Sequence, residues 1–256
     1  MTKLKMGQLT LVRGENIHSS FTWMQSALAI GEIVKLRHLR SASSHRQRMT
    51  NYYNAQTDFS DATRWMFVYG RETLIGHIDI RPGERILDIG CGAGKNFDAI
   101  QERLRGSGEL IGVDCSPTML EKAEERIRSR GWKNVRLIDA EYGKEPITRG
   151  RTDVVLFSYS LSMIPDWKPT LACAHAELWP GGRIGVVDFL KLTNSSKWFS
   201  EWLELNRVIA DRPYETELRR LFHETAHRRC SAWAGLWSFY LFVGMRRTFE
   251  MAQHAA

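Results

Sequence analysis

Between Arg85 and Lys95 the chain runs Arg-Ile-Leu-Asp-Ile-Gly-Cys-Gly-Ala-Gly-Lys, and no other stretch restricts the fold as strongly. RILDIG (85–90) is a short apolar run suited to a strand buried on both faces. It breaks directly into Gly90, Gly92 and Gly94, and glycines at a strand-to-helix turn let the backbone bend sharply and approach a ligand closely. KNFDAIQERLRG (95–106) then has helical spacing and is closed by Gly106 and Gly108. A buried strand that feeds straight into a helix requires a sheet covered by helices.

The alternation continues down the chain. ELIGVD (109–114) is a second strand, and Ser116 and Pro117 open a helix that Gly131 ends. VRLIDA (135–140), DVVLFSYS (153–160) and RIGVVDF (183–189) are strands three to five, with a helix over 166–178 and a PGG turn at 180–182. KWFSEWLELNRVIA (197–210) and YETELRRLFHETAHR (214–228) are predicted helical, and LWSFYLFVG (236–244) is the last strand. Residues 15–80 read as mostly helical. The expected architecture is an α/β, Rossmann-like sheet domain over 81–256, with a helical N-terminal extension or lid over 1–80. A helical cap inserted at about 194–229 follows strand five.

Composition supports a folded protein: 43% of residues are hydrophobic and 25% charged, which excludes disordered, collagen-like and coiled-coil classes. Cys91, Cys115, Cys173 and Cys230 form no CxxC pair and no ligand-like spacing with histidine, so no metal site is expected and the compartment is read as reducing. No run of eighteen apolar residues occurs. FTWMQSALAIGEIV (21–34) is too short to span a bilayer, carries Gln25 and Glu32, and lacks a cleavage-site pattern. The expected location is cytoplasmic.

The glycine turn is accompanied by acids at the ends of neighbouring strands. Asp114 ends strand two, where a carboxylate accepts from both hydroxyls of a ribose, and Asp139 ends strand three, placed to accept from an adenine amino group. Asp88 lies inside strand one, where a buried carboxylate demands a polar partner. The pattern is GxGxG, without the glycine that completes the pyrophosphate-seating GxGxxG. A nucleoside ligand without phosphate fits better, which favours S-adenosylmethionine over NAD.

Over roughly residues 50–245 the chain resembles the class I S-adenosylmethionine-dependent methyltransferases. The resemblance rests on LDIGCGAG, GVDCSPTML, LIDAE (137–141), FSYSLSMIPDW (157–167) and LWPGGRIGVVDF (178–189), in that order. It implies that Gly90, Gly92 and Gly94 cradle the methionine part and that Asp114 binds the ribose. Cys115 and Met119 would flank the adenine, Asp139 and Ala140 would read its amino edge, and Ser158 and Tyr159 would line the reaction chamber. Segments 51–75, 159–167 and 227–247 are similar to bacterial enzymes that methylate diacylglyceryl homoserine to a trimethylated betaine lipid. Phosphatidylethanolamine and quinone-ring methyltransferases share several of these motifs, so those acceptors stay open, as does a non-catalytic cofactor sensor.

Methyl transfer from a sulfonium is an in-line displacement that needs positioning more than a strong base when the acceptor is a neutral amine. Tyr53 and Tyr159 are the candidate catalytic positioners, with Tyr52 as a further candidate. Arg71 or Arg64 is the candidate clamp for a carboxylate, of the cofactor or of the head group. His175 and His227 have no supporting partner in sequence and are assigned no role.

The formal net charge of +7 lies outside the sheet: residues 81–190 balance, while 1–80 and 191–256 are both basic. Lys35, Arg37, Arg40, Arg46 and Arg48 stand in an acid-free run, and Trp198, Phe199, Trp202 and Leu205 recur at helical spacing. No RNA-binding motif accompanies the charge, so the expected partners are a lipid head group and an anionic membrane surface, not nucleic acid. Peripheral attachment at the inner face and contact with the preceding lipid-pathway enzyme are the corresponding expectations. Replacing those five basic residues with Gln is expected to weaken binding to anionic vesicles in a co-sedimentation assay, with the wild-type interaction fading as salt rises. Because they precede the sheet, they are expected to lie away from the cofactor.

Overall fold

In the computed structural model the described residues are 10–11, 46, 69–191, 200–201, 203–204, 206–232 and 237–247. In chain order the elements are β1 (Thr10–Leu11), α1 (Arg71–His77), β2 (Arg85–Ile89), α2 (Phe97–Leu104), β3 (Glu109–Asp114), α3 (Pro117–Arg130) and β4 (Val135–Asp139). They continue with β5 (Thr152–Ser158), a 3-10 turn (Leu161–Met163), α4 (Trp167–Glu177), β6 (Leu178–Leu190), α5 (Tyr214–Leu221), β7 (His223–Ala232) and β8 (Trp237–Met245). The described strands join one sheet in the order β1-β7-β8-β6-β5-β2-β3-β4. β2 pairs in parallel with β3 on one side and β5 on the other, and β8 is antiparallel to both β6 and β7.

The apolar run of β2 explains its central place. Ile86 belongs to the core on one face of the sheet, with Phe97 and Ile100 of α2, whereas Leu87 and Ile89 belong to the core on the other, with Leu171 of α4. Successive strand residues face opposite sides, so only a strand covered twice can be apolar throughout. α3 has the expected ends: Pro117 opens it and Gly131, at φ 70°, closes it with its N–H on the carbonyl of Arg128 or Ile127. All strand C-termini from β2 to β5 therefore reach one edge, where the glycine turn lies.

The sequence reading is corrected at several boundaries. The helix expected over 214–228 stops at Leu221, and 223–232 is a strand. β8 is buried along its length apart from Met245, and it needs hydrogen-bonding neighbours on both edges; β7 supplies the outer one, overriding local helix preference. The expected cap at 194–229 is thus helical only in part. Residues 200–201 and 203–204 are helical, the chain has left the helix by Asn206, and Trp198, Phe199, Trp202 and Leu205 lie outside the described residues. Strand four ends at Ser158, because Tyr159 adopts a left-handed φ of 57°. PGG does not precede strand five but bulges from β6: Leu178 pairs with Thr152 and Arg183 with Val154, with Trp179–Gly182 between. Of residues 1–80, Arg46 and 71–77 are helical and 10–11 form β1 at the sheet edge, beside β7.

α5 is fastened to β7 by a carboxylate. Glu215 is 8% exposed and accepts from His227 Nε2 and, at 2.5 Å, from Arg229. Burial pushes Glu215 up, but these two donors outweigh it and hold the carboxyl down at about 2. A depressed carboxyl stabilises the fold fully above its unfolded value, near 4.5, and loses that contribution as pH falls toward 2. Glu215→Gln is therefore expected to destabilise the protein at pH 7 by on the order of 1–3 kcal/mol. In thermal melts across a pH series, its deficit relative to wild type should shrink below pH ~4.5.

Candidate functional site

The three glycines of the β2–α2 turn have different jobs. A Cβ on Gly90 would come within 2.4 Å of Ser160 Cβ, and one on Gly94 within 2.6 Å of the Phe97 ring, so these two permit close packing. Gly92, at φ 55°, has nothing within 4 Å of that position. It borders open space, and its N–H is drawn down 2.9 Å onto Asp114 Oδ2. The other oxygen, Oδ1, accepts from Ser116 N–H at 2.9 Å. A carboxylate has about four lone-pair sites, so both oxygens keep capacity for a ligand's hydroxyls.

A cavity of about 450 Å³ opens at this edge, lined by Gly90 from the turn, Asp114 and Cys115 from the end of β3, and Ala140–Lys144 after β4. Its far wall is Tyr159, Ser160 and Met163–Asp166 after β5, with Pro169 of α4. The size is within the range of small-molecule and cofactor sites. Burial pushes the Cys115 thiol up to about 12, with Asp114 and Glu141 adding to it, and burial also raises the Tyr159 phenol well above its ordinary value. Tyr159 donates its hydroxyl proton to the Tyr69 carbonyl at 2.5 Å, its ring lies 4.7 Å from Phe189, and the Arg71 guanidinium stands 5.8 Å above it.

Of the predicted residues, Gly90, Asp114, Cys115, Ala140 and Tyr159 come together on the cavity wall. Met119 sits behind it, packed with Cys115 and Met163. Asp88 is fully buried beneath the turn, with both oxygens 3.2 Å from Asn96 Nδ2. Burial pushes it up to about 6, partly countered by Asn96 and by the Arg71 charge. Its role is to hold the first residue before α2 against β2, and it does not line the cavity. Ser158 is buried and also off the wall. Tyr52, Tyr53 and Arg64 lie outside the described residues.

Asp139 differs from the expectation. Its carboxylate is taken by Arg46, at 2.5 and 3.1 Å, and the Arg46 backbone N–H donates to Glu141 Oε1 at 2.8 Å. Arg46 was grouped with residues lying away from the cofactor, but it reaches the rim of the cavity. Tyr142–Lys144 were missed, since they are loop residues with no periodicity to mark them, whereas Glu141 and Ile164–Asp166 lie within the motifs LIDAE and FSYSLSMIPDW but were given no site role. Their shape depends on distant groups: buried Glu177 of α4 accepts from Ile147 N–H and, at 2.7 Å, from Thr148 N–H, and Arg212 donates to the carbonyls of Ile164 and Pro165 at 3.0 Å each.

Comparison with known proteins agrees with this geometry. A sequence profile of the family described as "Methyltransferase domain" matches residues 80–228. A demethylmenaquinone methyltransferase of Geobacillus kaustophilus is 30% identical over 140 residues, covering 55% of this chain and 56% of that protein. This chain thus spans about half the length of the relatives it matches. The fold is similar to that of a geranyl diphosphate C-methyltransferase from Streptomyces coelicolor, with a TM-score of 0.65 at 15% identity over 80% of this chain and 98% of that one. A 1,6-didemethyltoxoflavin-N1-methyltransferase of Burkholderia thailandensis gives a TM-score of 0.59 at 17% identity, over 81% and 92%.

The different surroundings of Gly92 and Gly90 yield a test. In Gly92→Ala the methyl group enters the open space beside the turn, next to the cavity-lining Gly90, at a backbone cost of about 1–2 kcal/mol. S-adenosylhomocysteine affinity, measured by calorimetry, should fall at least about tenfold while the protein stays folded. Gly90→Ala should instead show its main loss in thermal stability, because its methyl meets Ser160.

Proposed function

The chain belongs to the methyltransferase-domain family, and from that premise we propose that it transfers a methyl group from S-adenosylmethionine to a neutral amine of a small or lipid-borne acceptor. The observation that carries the choice of nucleophile is that the wall residue Tyr159 spends its hydroxyl proton on the Tyr69 carbonyl at 2.5 Å. Tyr159 and Cys115 both keep their protons near neutral pH, so they position an acceptor and do not deprotonate one. A neutral amine meets that condition, since its lone pair attacks unaided.

The bound cofactor supplies an electrophilic methyl group on a sulfonium. Asp114, with both oxygens already oriented by backbone N–H groups, would hold the ribose, and Gly92 would let the methionine part pass close to the backbone. Ala140 and Cys115 would border the adenine. Arg71, poised above the Tyr159 ring, would meet a carboxylate of the cofactor or of the acceptor. Transfer would exchange the sulfur–methyl bond for a nitrogen–methyl bond, with one amine proton lost to solvent. The Tyr159 hydroxyl proton is committed to Tyr69, so toward an acceptor its oxygen serves as a hydrogen-bond acceptor.

The cap segments 51–75 and 227–247, by their similarity to betaine-lipid methyltransferases, support a lipid amine such as diacylglyceryl homoserine. Peripheral attachment to an anionic membrane at the inner face, and association with the enzyme that makes the acceptor, belong to that reading. Arg46, engaged at the rim, is no longer a neutral choice for the vesicle test, which passes to Lys35, Arg37, Arg40 and Arg48. A second reading, a quinone-ring acceptor, is supported by the relatives named demethylmenaquinone methyltransferase. Tritiated S-adenosylmethionine offered with amine-head-group vesicles or with a demethylated quinol separates the two. Label in an N-methylated lipid is expected; label in the quinol alone transfers the assignment to the ring acceptor.

A further inference from the structure

We propose that Arg46 sets how strongly the site prefers the charged methyl donor over its neutral product, by neutralising Asp139 at the cavity rim. S-adenosylmethionine and S-adenosylhomocysteine share adenosine and amino-acid parts and differ at the sulfur, where only the donor carries a positive charge. Contacts to the shared parts act on both ligands alike. The local potential acts on the difference.

Among the described residues, charged side chains at the cavity edge contribute to that potential. Asp114, Glu141 and Asp166 line the cavity with Lys144, and Asp139 precedes the lining residue Ala140. Among the described residues Arg46 touches two of these acids, placing its guanidinium on both oxygens of Asp139 and its backbone N–H on Glu141. Side-chain exposures of 41% and 45% make the pair a weak source of stability. Its charge still counts, because a rim cation offsets a rim carboxylate whether or not the pair stabilises the fold. With Arg46 present the site discriminates less against product, so turnover responds to the donor-to-product ratio. Without it, the more negative rim favours the cation.

The inference rests on S-adenosylmethionine being the cofactor, and calorimetry on the full chain with each ligand tests both statements. Arg46→Gln should increase the ratio of donor to product affinity by about two- to threefold at 50 mM salt, with the gain shrinking at 0.5 M. Arg46→Lys should keep the wild-type ratio. Adding Asp139→Asn to Arg46→Gln should return the ratio toward wild type, because a negative charge is then removed with the positive one. Two ligands that weaken by the same factor, or a ratio unmoved in Arg46→Gln, would overturn the inference and leave Arg46 a structural contact. Wild-type protein that binds neither ligand would remove the cofactor reading and this inference with it.

Discussion

The carboxylate of Asp114 is the contact on which the site depends. It ends β3, yet one of its oxygens holds Gly92 of the β2–α2 turn and the other holds Ser116 at the start of α3. Two adjacent strand ends and the helices that follow them are thereby locked into one rim, before any ligand contributes. A charged acceptor between two backbone N–H groups is stronger than a neutral one and gives the turn a fixed shape. The open side of Gly92 faces usable space because that N–H is anchored from below.

Other buried carboxylates repeat the device further out. Asp188 of β6 accepts from the N–H and hydroxyl of Ser162 and from Phe189 N–H, and burial pushes it up to about 6 against those bonds. Ser162 in turn receives Ile209 N–H on its carbonyl at 2.9 Å, so the segment before α5 is tied across the loop after β5. Glu177 fixes the loop after β4 from the opposite side. Loops hold their shape only when their backbone groups find partners, and here acids buried in strands and helices provide them.

Charge is distributed in keeping with this. The sheet region is balanced, and the excess of basic residues belongs to the flanks. The described part of those flanks does not leave its cations to solvent alone: Arg46 engages Asp139, Arg212 caps carbonyls of the cavity wall, and Arg229 holds Glu215. Basic residues in the caps thus shape the site directly, in addition to any role toward an anionic surface.

The sequence by itself determined the sheet, its parallel centre and the glycine turn. Those depend on local facts: apolar runs that must be covered twice, glycines that free the backbone, and acids that follow strand ends. Gly90 and Asp114 were legible because strand ends converge on one edge whatever the side chains do elsewhere, while Cys115, Ala140 and Tyr159 were implied by the family resemblance. Only the tertiary structure decided the rest. His223–Ala232 became a strand because β8 needed an outer neighbour, and Asp139 turned to Arg46, a residue far away in the chain. Glu141 through Lys144 became a cavity wall because Glu177 and Arg212 reach in from other elements. Pairings across such distances carry no period in the sequence, since each is fixed by what the folded chain brings within hydrogen-bonding range.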